Sequence, residues 1–148
     1  MPMKQLPEIL KNEKYTKIKF TLSKTNHLLV NASINGVKGK FILDTGASNS
    51  CVDFEDVSQF KLKAAHSKTR AAGAGATGMF TQVAQDNVLK IGRWQYKHFN
   101  LVVFDMSHVN AALTEHKAKP VQGILGADVL LEGQAIIDYA NHLLYLKS

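Results

Sequence analysis

From Tyr15 onward, apolar and polar side chains mostly alternate, which is the period of a strand with one buried face. Tyr15 to Phe20 alternates, and Leu28 to Ile34 does so more loosely. Asn35-Gly36 separates that second run from a third, Val37 to Leu43. The dipeptide predicts a type I′ hairpin, because both central residues of that turn need positive φ. The returning arm leads directly into Asp44, which is therefore expected at the end of a strand. Lys97 to Asp105 (KHFNLVVFD) is rich in β-branched and aromatic residues and predicts another strand, with Gly92-Arg93 as the turn before it. Met79 to Ile91 fits two periods. Met79, Phe80, Val83, Ala84 and Val88 lie at helical spacing, whereas Thr81, Val83 and Gln85 share one face of a strand. The strand is preferred, because AAGAGATG (Ala71 to Gly78) just before it reads as a hairpin tip of high backbone freedom.

Helical pattern is confined to short stretches. Ser107 to His116 predicts a helix with Ser107 as N-cap, Val109, Ala112, Leu113 and His116 on one side, and Pro120 beyond its end. GILGADVL, Gly123 to Leu130, predicts a short apolar strand, a glycine turn and a short helix that Gly133 stops. AIIDYANHLLYLKS at the end predicts two short strands about a turn near Ala140-Asn141. A faint internal echo runs through the chain: residues 28–48 and 88–128 each end with two apolar residues before a glycine-bearing turn, Ile42-Leu43 and Ile124-Leu125. Only the first of these corners carries an acid, Asp44.

The totals narrow the class. A chain of 148 residues, 45% hydrophobic and 20% charged, suits one soluble domain that buries roughly two thirds of its unfolded surface. Cys51 is the only cysteine, so no intrachain disulfide can form, which favours a reducing compartment and a cytoplasmic location. The net charge of +6 is spread along the chain with no run of five basic residues, so it reads as a solvated surface and not as a nucleic-acid site. No stretch of about 18 apolar residues offers a membrane span. The first 14 residues, MPMKQLPEILKNEK, lack an apolar core of signal-peptide length and read as a polar arm.

The chemistry gathers at two short motifs. Phe41-Ile42-Leu43 runs into Asp44-Thr45-Gly46-Ala47-Ser48, and Gly123-Ile124-Leu125-Gly126-Ala127-Asp128 follows far downstream. In this order, with the hairpins and the glycine-rich stretch between them, the chain from Leu28 to Leu146 resembles the retropepsin-like (retroviral-type) aspartic proteases in their single-domain cellular or bacterial form. The resemblance implies an all-β fold of closed, barrel-like sheets with one or two short helices, one lobe per chain, over residues 15–148. It implies an aspartic endopeptidase in which Asp44 is catalytic and Thr45, Gly46, Ala47 and Ser48 form the supporting loop. Thr45 would bond across to the other copy's loop, and the Gly46 amide would point at the carboxylate. Ala72, Gly73, Ala74, Gly75 and Ala76 would form a flap over the substrate, made of Ala and Gly where some relatives carry an aromatic. Ile124, Leu125 and Gly126 would form the core loop under the site. No metal and no other cofactor is implied.

Peptide hydrolysis by water needs a base and an acid, and two facing carboxylates that share a proton supply both. This chain has one Asp-Thr-Gly and no Asp-Ser-Gly. Asp128 follows the Ile-Leu-Gly and is expected to cap or pair. An enzyme built on Asp44 must therefore be a symmetric homodimer acting on a peptide or protein, with the strands of Tyr15–Phe20 and Ile136–Leu146 contributing to the interface. The alternative is a dimerisation or peptide-binding module of the same fold with weak or no catalysis.

Other signals are weaker. Gly73 to Gly78 satisfies G-x-G-x-x-G, but KLKAAHSKTRAA before it is no buried strand and Asp105 lies too far on for a dinucleotide fold. His27, His66, His98, His108, His116 and His142 show no metal-binding spacing. Cys51 reads as a small buried residue. Trp94, Tyr96 and Phe99 read as a core cluster in preference to a base-stacking platform.

Overall fold

The computed structural model describes residues 6–71 and 79–148. Helix α1 (Leu6–Asn12) lies within the stretch expected as a polar arm, and its Leu10 is buried. Strands β1 (Tyr15–Lys19) and β2 (Thr21–Leu22) precede the hairpin of β3 (Leu28–Ile34) and β4 (Val37–Leu43). Its turn has φ of 52° at Asn35 and 84° at Gly36, as the Asn-Gly signal requires. The Asn35 side chain adds bonds of its own. Its Nδ2 donates to the Phe60 carbonyl and to Asn87 Oδ1, both at 2.9 Å, and its Oδ1 accepts from the Val88 amide at 3.0 Å.

Strand β5 (Cys51–Asp53) is followed by a 3-10 turn at Phe54–Asp56, and then by β6 (Ala64–Ala71), β7 (Met79–Ile91) and β8 (Trp94–Phe104). Six strands close into a ring in the order β3-β4, then a later strand β9 (Gly123–Leu125), then β5-β8-β7, with Ser33–Ile34 of β3 pairing Leu89–Lys90 of β7 to shut it. This is the closed all-β architecture expected. The two echoing corners are neighbours in the ring: Ile42 pairs Ile124 and Leu43 pairs Leu125 in parallel. Ile34, Phe41, Leu89, Ile91, Val103 and Leu125 fill the interior. Each such side chain contributes about 1.5–3 kcal/mol by leaving water.

Met79–Ile91 is a strand, and its double periodicity has a structural cause. The register of β7 on β8 shifts between Ala84 and Asn87, so the buried positions Ala84, Asn87, Leu89 and Ile91 change parity there. Asp86 takes φ of 58° at the irregularity. Buried Asn87 is satisfied by its bonds to Asn35 and to the Phe99 carbonyl.

Helix α2 (Ser107–Glu115) lies over a second small core of Ile42, Cys51, Phe104, Met106, Leu113 and Val121. Ser107 is not its N-cap. It is the first helical residue, and Met106 holds the cap position without a side-chain bond. Asp105 Oδ1 instead accepts the Ser107 amide at 2.8 Å, and that bond holds the Asp105 carboxyl below the usual range. A carboxylate two residues ahead of an amide does what the serine was expected to do.

Helix α3 (Ala127–Glu132) follows β9 and leads into β10 (Ile136–Asp138) and β11 (Leu143–Lys147). These two make a second sheet with β1, in the order β1-β11-β10. Its inner face, Ile18, Leu144 and Leu146, joins the main core with Ile137 packed against it. On its outer face Leu143 and Tyr145 receive Leu10 from α1. The two terminal strands pair with each other within the chain, Tyr15 to Lys19 against Lys147 to Leu143.

Candidate active site

The apolar strand β4 carries Phe41, Ile42 and Leu43 into the core and delivers Asp44 at its mouth. The Asp44 amide donates to the Leu125 carbonyl at 2.9 Å, which continues the β4–β9 pairing by one residue. The chain then turns: the Ala47 amide donates to the Asp44 carbonyl at 3.2 Å, and the Gly46 amide donates to Asp44 Oδ1 at 2.9 Å. The amide-to-carboxylate bond expected at Gly46 is present. It does not depend on a left-handed backbone, since Gly46 is not among the positive-φ glycines. Asp44 is half-buried, whereas Thr45, Gly46 and Ser48 are exposed.

A second layer fixes this loop from beneath. The Ala127 amide donates to the Ala47 carbonyl at 2.7 Å. Gly126 has to be glycine here, because a Cβ on it would stand 2.5 Å from the Ala47 oxygen. Ser50, only 1% exposed, ties the far end of the loop. Its hydroxyl donates to Asp128 Oδ1 at 2.7 Å and accepts the Gly126 amide at 3.0 Å, while its own amide donates to Asp128 Oδ2 at 2.9 Å. Asp128 Oδ1 also accepts the Val129 amide at 2.9 Å. Asp128 therefore pairs, as expected, and its structural partner is Ser50. Sequence reasoning singled out Ser48, which points to solvent, and missed Ser50. Its place directly before the apolar stretch that resumes at Cys51-Val52 is its one local hint, and its partner Asp128 has no local signal.

Cys51 is buried directly after this anchor. Burial pushes its thiol up to about 12, with the carboxylates of Asp128 and Asp44 adding to the effect. It is a packed thiol and not a nucleophile.

Ile124, Leu125 and Gly126 lie under the loop, through the parallel pairing with β4 and the bond to Asp44. The flap positions Ala72, Gly73, Ala74, Gly75 and Ala76 lie outside the described residues. The strands that flank them, β6 and β7, pair antiparallel with Ala71 opposite Met79. Trp94 and Tyr96 meet edge to face and Tyr96 and Phe99 at a tilt, with centroids 6.0 and 5.5 Å apart, and Trp94 and Phe99 are buried in the core with Tyr96 packed against it. Among the described residues no group of three or more His, Cys, Asp or Glu is placed to hold a metal. No helix among them is long and apolar enough to cross a membrane. An acidic groove of about 990 Å³, lined by Asp53, Glu55, Asp105 and Glu115, opens beside α2 at the far end of β5 from Asp44.

A sequence model of the aspartyl protease family matches residues 30–129, which hold both motifs and the loop between them. The chain belongs to the aspartyl protease family. Solved structures of family proteins agree with its retropepsin-like fold. A retropepsin-like aspartic protease from Rickettsia conorii superposes with a TM-score of 0.61 at 22% identity, over 89% of this chain and 91% of that one. The retroviral protease-like domain of Ddi1 from Leishmania major gives 0.57 at 18% identity, over 81% and 87%. EIAV protease, solved with the inhibitor HBY-793, gives 0.52 at 22% identity, over 76% and 92%. No curated protein matches the chain.

Proposed function

We propose that this aspartyl protease family member is an endopeptidase whose active centre forms from two copies of the chain, each supplying Asp44. The observation that carries the reading is the placement of Asp44. It stands half-buried at a strand mouth, with one oxygen held by the Gly46 amide and the surrounding loop exposed. A second Asp44 facing it across a two-fold axis would share one proton with it, because two carboxylates at close range cannot both ionise. The ionised partner takes a proton from water as that water attacks the peptide carbonyl carbon. The protonated partner gives its proton to the carbonyl oxygen. Collapse of the tetrahedral intermediate breaks the C–N bond and delivers a proton to the departing amine. The two carboxyl groups titrate as one pair. Thr45, exposed beside Asp44, faces the partner loop in this arrangement.

The test is cleavage of a mixed peptide library at several pH values and protein concentrations, with Asp44→Asn in parallel. The expected result is cutting that disappears in Asp44→Asn, a loss of at least about a thousandfold, and a rate that rises faster than linearly with protein. Peptide binding without cleavage by a dimeric wild type, equal in Asp44→Asn, would identify a non-catalytic peptide-binding module instead.

A further inference from the structure

The chain carries a net charge of +6, yet every charged side chain that lines one of its grooves is acidic. This is the groove of about 990 Å³ beside α2, and Asp53, Glu55, Asp105 and Glu115 line it. No Lys, Arg or His among the described residues joins them. The acids come from separate elements. Asp53 ends β5, Glu55 lies in the turn after it, Asp105 follows β8 and Glu115 ends α2. They are spread too far for one metal ion, since no three acids among the described residues are placed to share one.

Asp53 distinguishes this groove from an ordinary acidic surface. It is only 8% exposed and it lines the groove. Its Oδ1 accepts the Glu55 amide at 3.5 Å, beyond the range of a good hydrogen bond. Its Oδ2 has no hydrogen-bond partner among the described residues. A carboxylate so enclosed ordinarily has a donor, and a charged donor serves it best. The crowding of like charges shows at Asp56, whose carboxyl is pushed above its usual range by burial and then by Asp53 and Glu55. A cation entering the groove satisfies Asp53 and relieves that repulsion. Phe54, between Asp53 and Glu55, is 37% exposed on the same wall. An aromatic face beside carboxylates suits Lys or Arg, covering the apolar stem and attracting the charge.

We propose that the groove binds a Lys- or Arg-rich stretch of a partner protein, with one cationic side chain seated on Asp53 and others on Glu55, Asp105 and Glu115. Charge complementarity decides the occupant. The acids are distributed along a groove far larger than one ion, so the ligand has to bring several positive charges on one chain. Nucleic acid and anionic lipid are repelled by the same acids. The inference goes beyond the protease reading and does not depend on it. At about 3.3 Å per residue of strand, Asp53 stands about 10 Å from Ser50, the anchor of the Asp44 loop. A protein tethered in the groove is therefore held beside the candidate active site.

The test uses a fluorescein-labelled peptide of alternating Lys and Ser, with binding read by fluorescence anisotropy at low salt. Every protein in the series is the full chain carrying Asp44→Asn, so the peptide stays intact. Saturable binding is expected. Asp53→Asn, in which Asn still caps the turn that follows, weakens it about tenfold or more, because an enclosed charge pair is lost. Ala111→Lys, which projects a cation into the groove from an exposed position on α2, weakens it as much. Glu132→Gln removes one exposed charge outside the groove and changes binding less than about twofold. Urea unfolding checks that each variant is folded, and should Asp53→Asn fail to fold, Ala111→Lys decides. No saturable binding, or binding that both groove variants retain, would overturn the inference. So would spermine displacing the peptide with an affinity equal to the peptide's own, which would make the groove a polyamine site. No readout uses cleavage, so this test and that of the protease reading can fail separately.

Discussion

Ser50→Ala removes one oxygen from the base of the Asp44 loop, and the structure says what that oxygen does. It donates at 2.7 Å to a carboxylate and accepts at 3.0 Å from the buried Gly126 amide. The first is a charge-assisted bond of about 1.5–3 kcal/mol, and the second leaves an unsatisfied amide costing about 1–3 kcal/mol. The two losses share one site and do not add fully, so about 2–4 kcal/mol is expected. Ser50 keeps its backbone bond to Asp128 Oδ2, so the loop loosens without detaching. Urea unfolding at one fixed protein concentration reads this directly. With a slope of about 2 kcal/mol per molar for a chain of this size, the midpoint falls by about 1–2 M while the slope stays the same.

The cycle of Ser50→Ala, Asp128→Ala and the double variant tests the mechanism as well as the size. If the two residues form one unit, the double variant costs less than the sum of the single ones by about 1 kcal/mol or more. A Ser50→Ala cost below about 0.5 kcal/mol, or a cycle that adds, would refute the reasoning. Loss of the anchor should also lower peptide cleavage under conditions where the variant is fully folded.

Gly126→Ala forces its new methyl to within 2.5 Å of the Ala47 oxygen, so the loop must shift. A loss of about 1–3 kcal/mol in the same unfolding assay is expected, with the Asp44 loop displaced in a crystal structure of the variant. Cys51 makes stability fall in alkali. Its folded pKa, about 12, lies above the unfolded value near 9.0, so folding holds the proton that the unfolded chain releases. Stability from this thiol is intact below about pH 9 and declines towards about 12, by up to about 1.4 kcal/mol per pH unit. Cys51→Ala should flatten that part of the curve, and an unchanged slope in the variant would refute the assignment.

The ring of strands was legible where one side-chain period held from end to end. Asn35-Gly36 announced its turn because the conformation it needs is costly for most other residues. Met79–Ile91 was ambiguous for a reason that lies in three dimensions. The extra residue between Ala84 and Asn87 breaks the alternation, and the buried polar side chain of Asn87 that follows it is satisfied by Asn35, far away in sequence. Ser107 was misread as a cap because Asp105 supplies the bond from two residues earlier. The pairing of β1 with β11 joins the two ends of the chain and carries no local signal at all. Asp44 and its loop were visible as a motif. Ser50 was not, since its role depends on a contact 78 positions away.

Asp44 and Asp128 are the same residue type put to opposite uses, and their surroundings account for the difference. Asp128 accepts three bonds, two from Ser50 and one from the Val129 amide. A carboxylate so engaged is held in place and has little left to offer a substrate. Asp44 accepts one described bond, from Gly46, on one oxygen. The loop around it is exposed where the loop around Asp128 is packed. The other acids that flank the ring do not complete a pair within the chain: Asp53 stands at the opposite end of β5, and Asp138 is bonded to Asn141. On the proposed reading, the second reactive carboxylate arrives from outside the chain. Its most economical source is another copy, in which the Ser50–Asp128 anchor has already set Asp44 in the same pose.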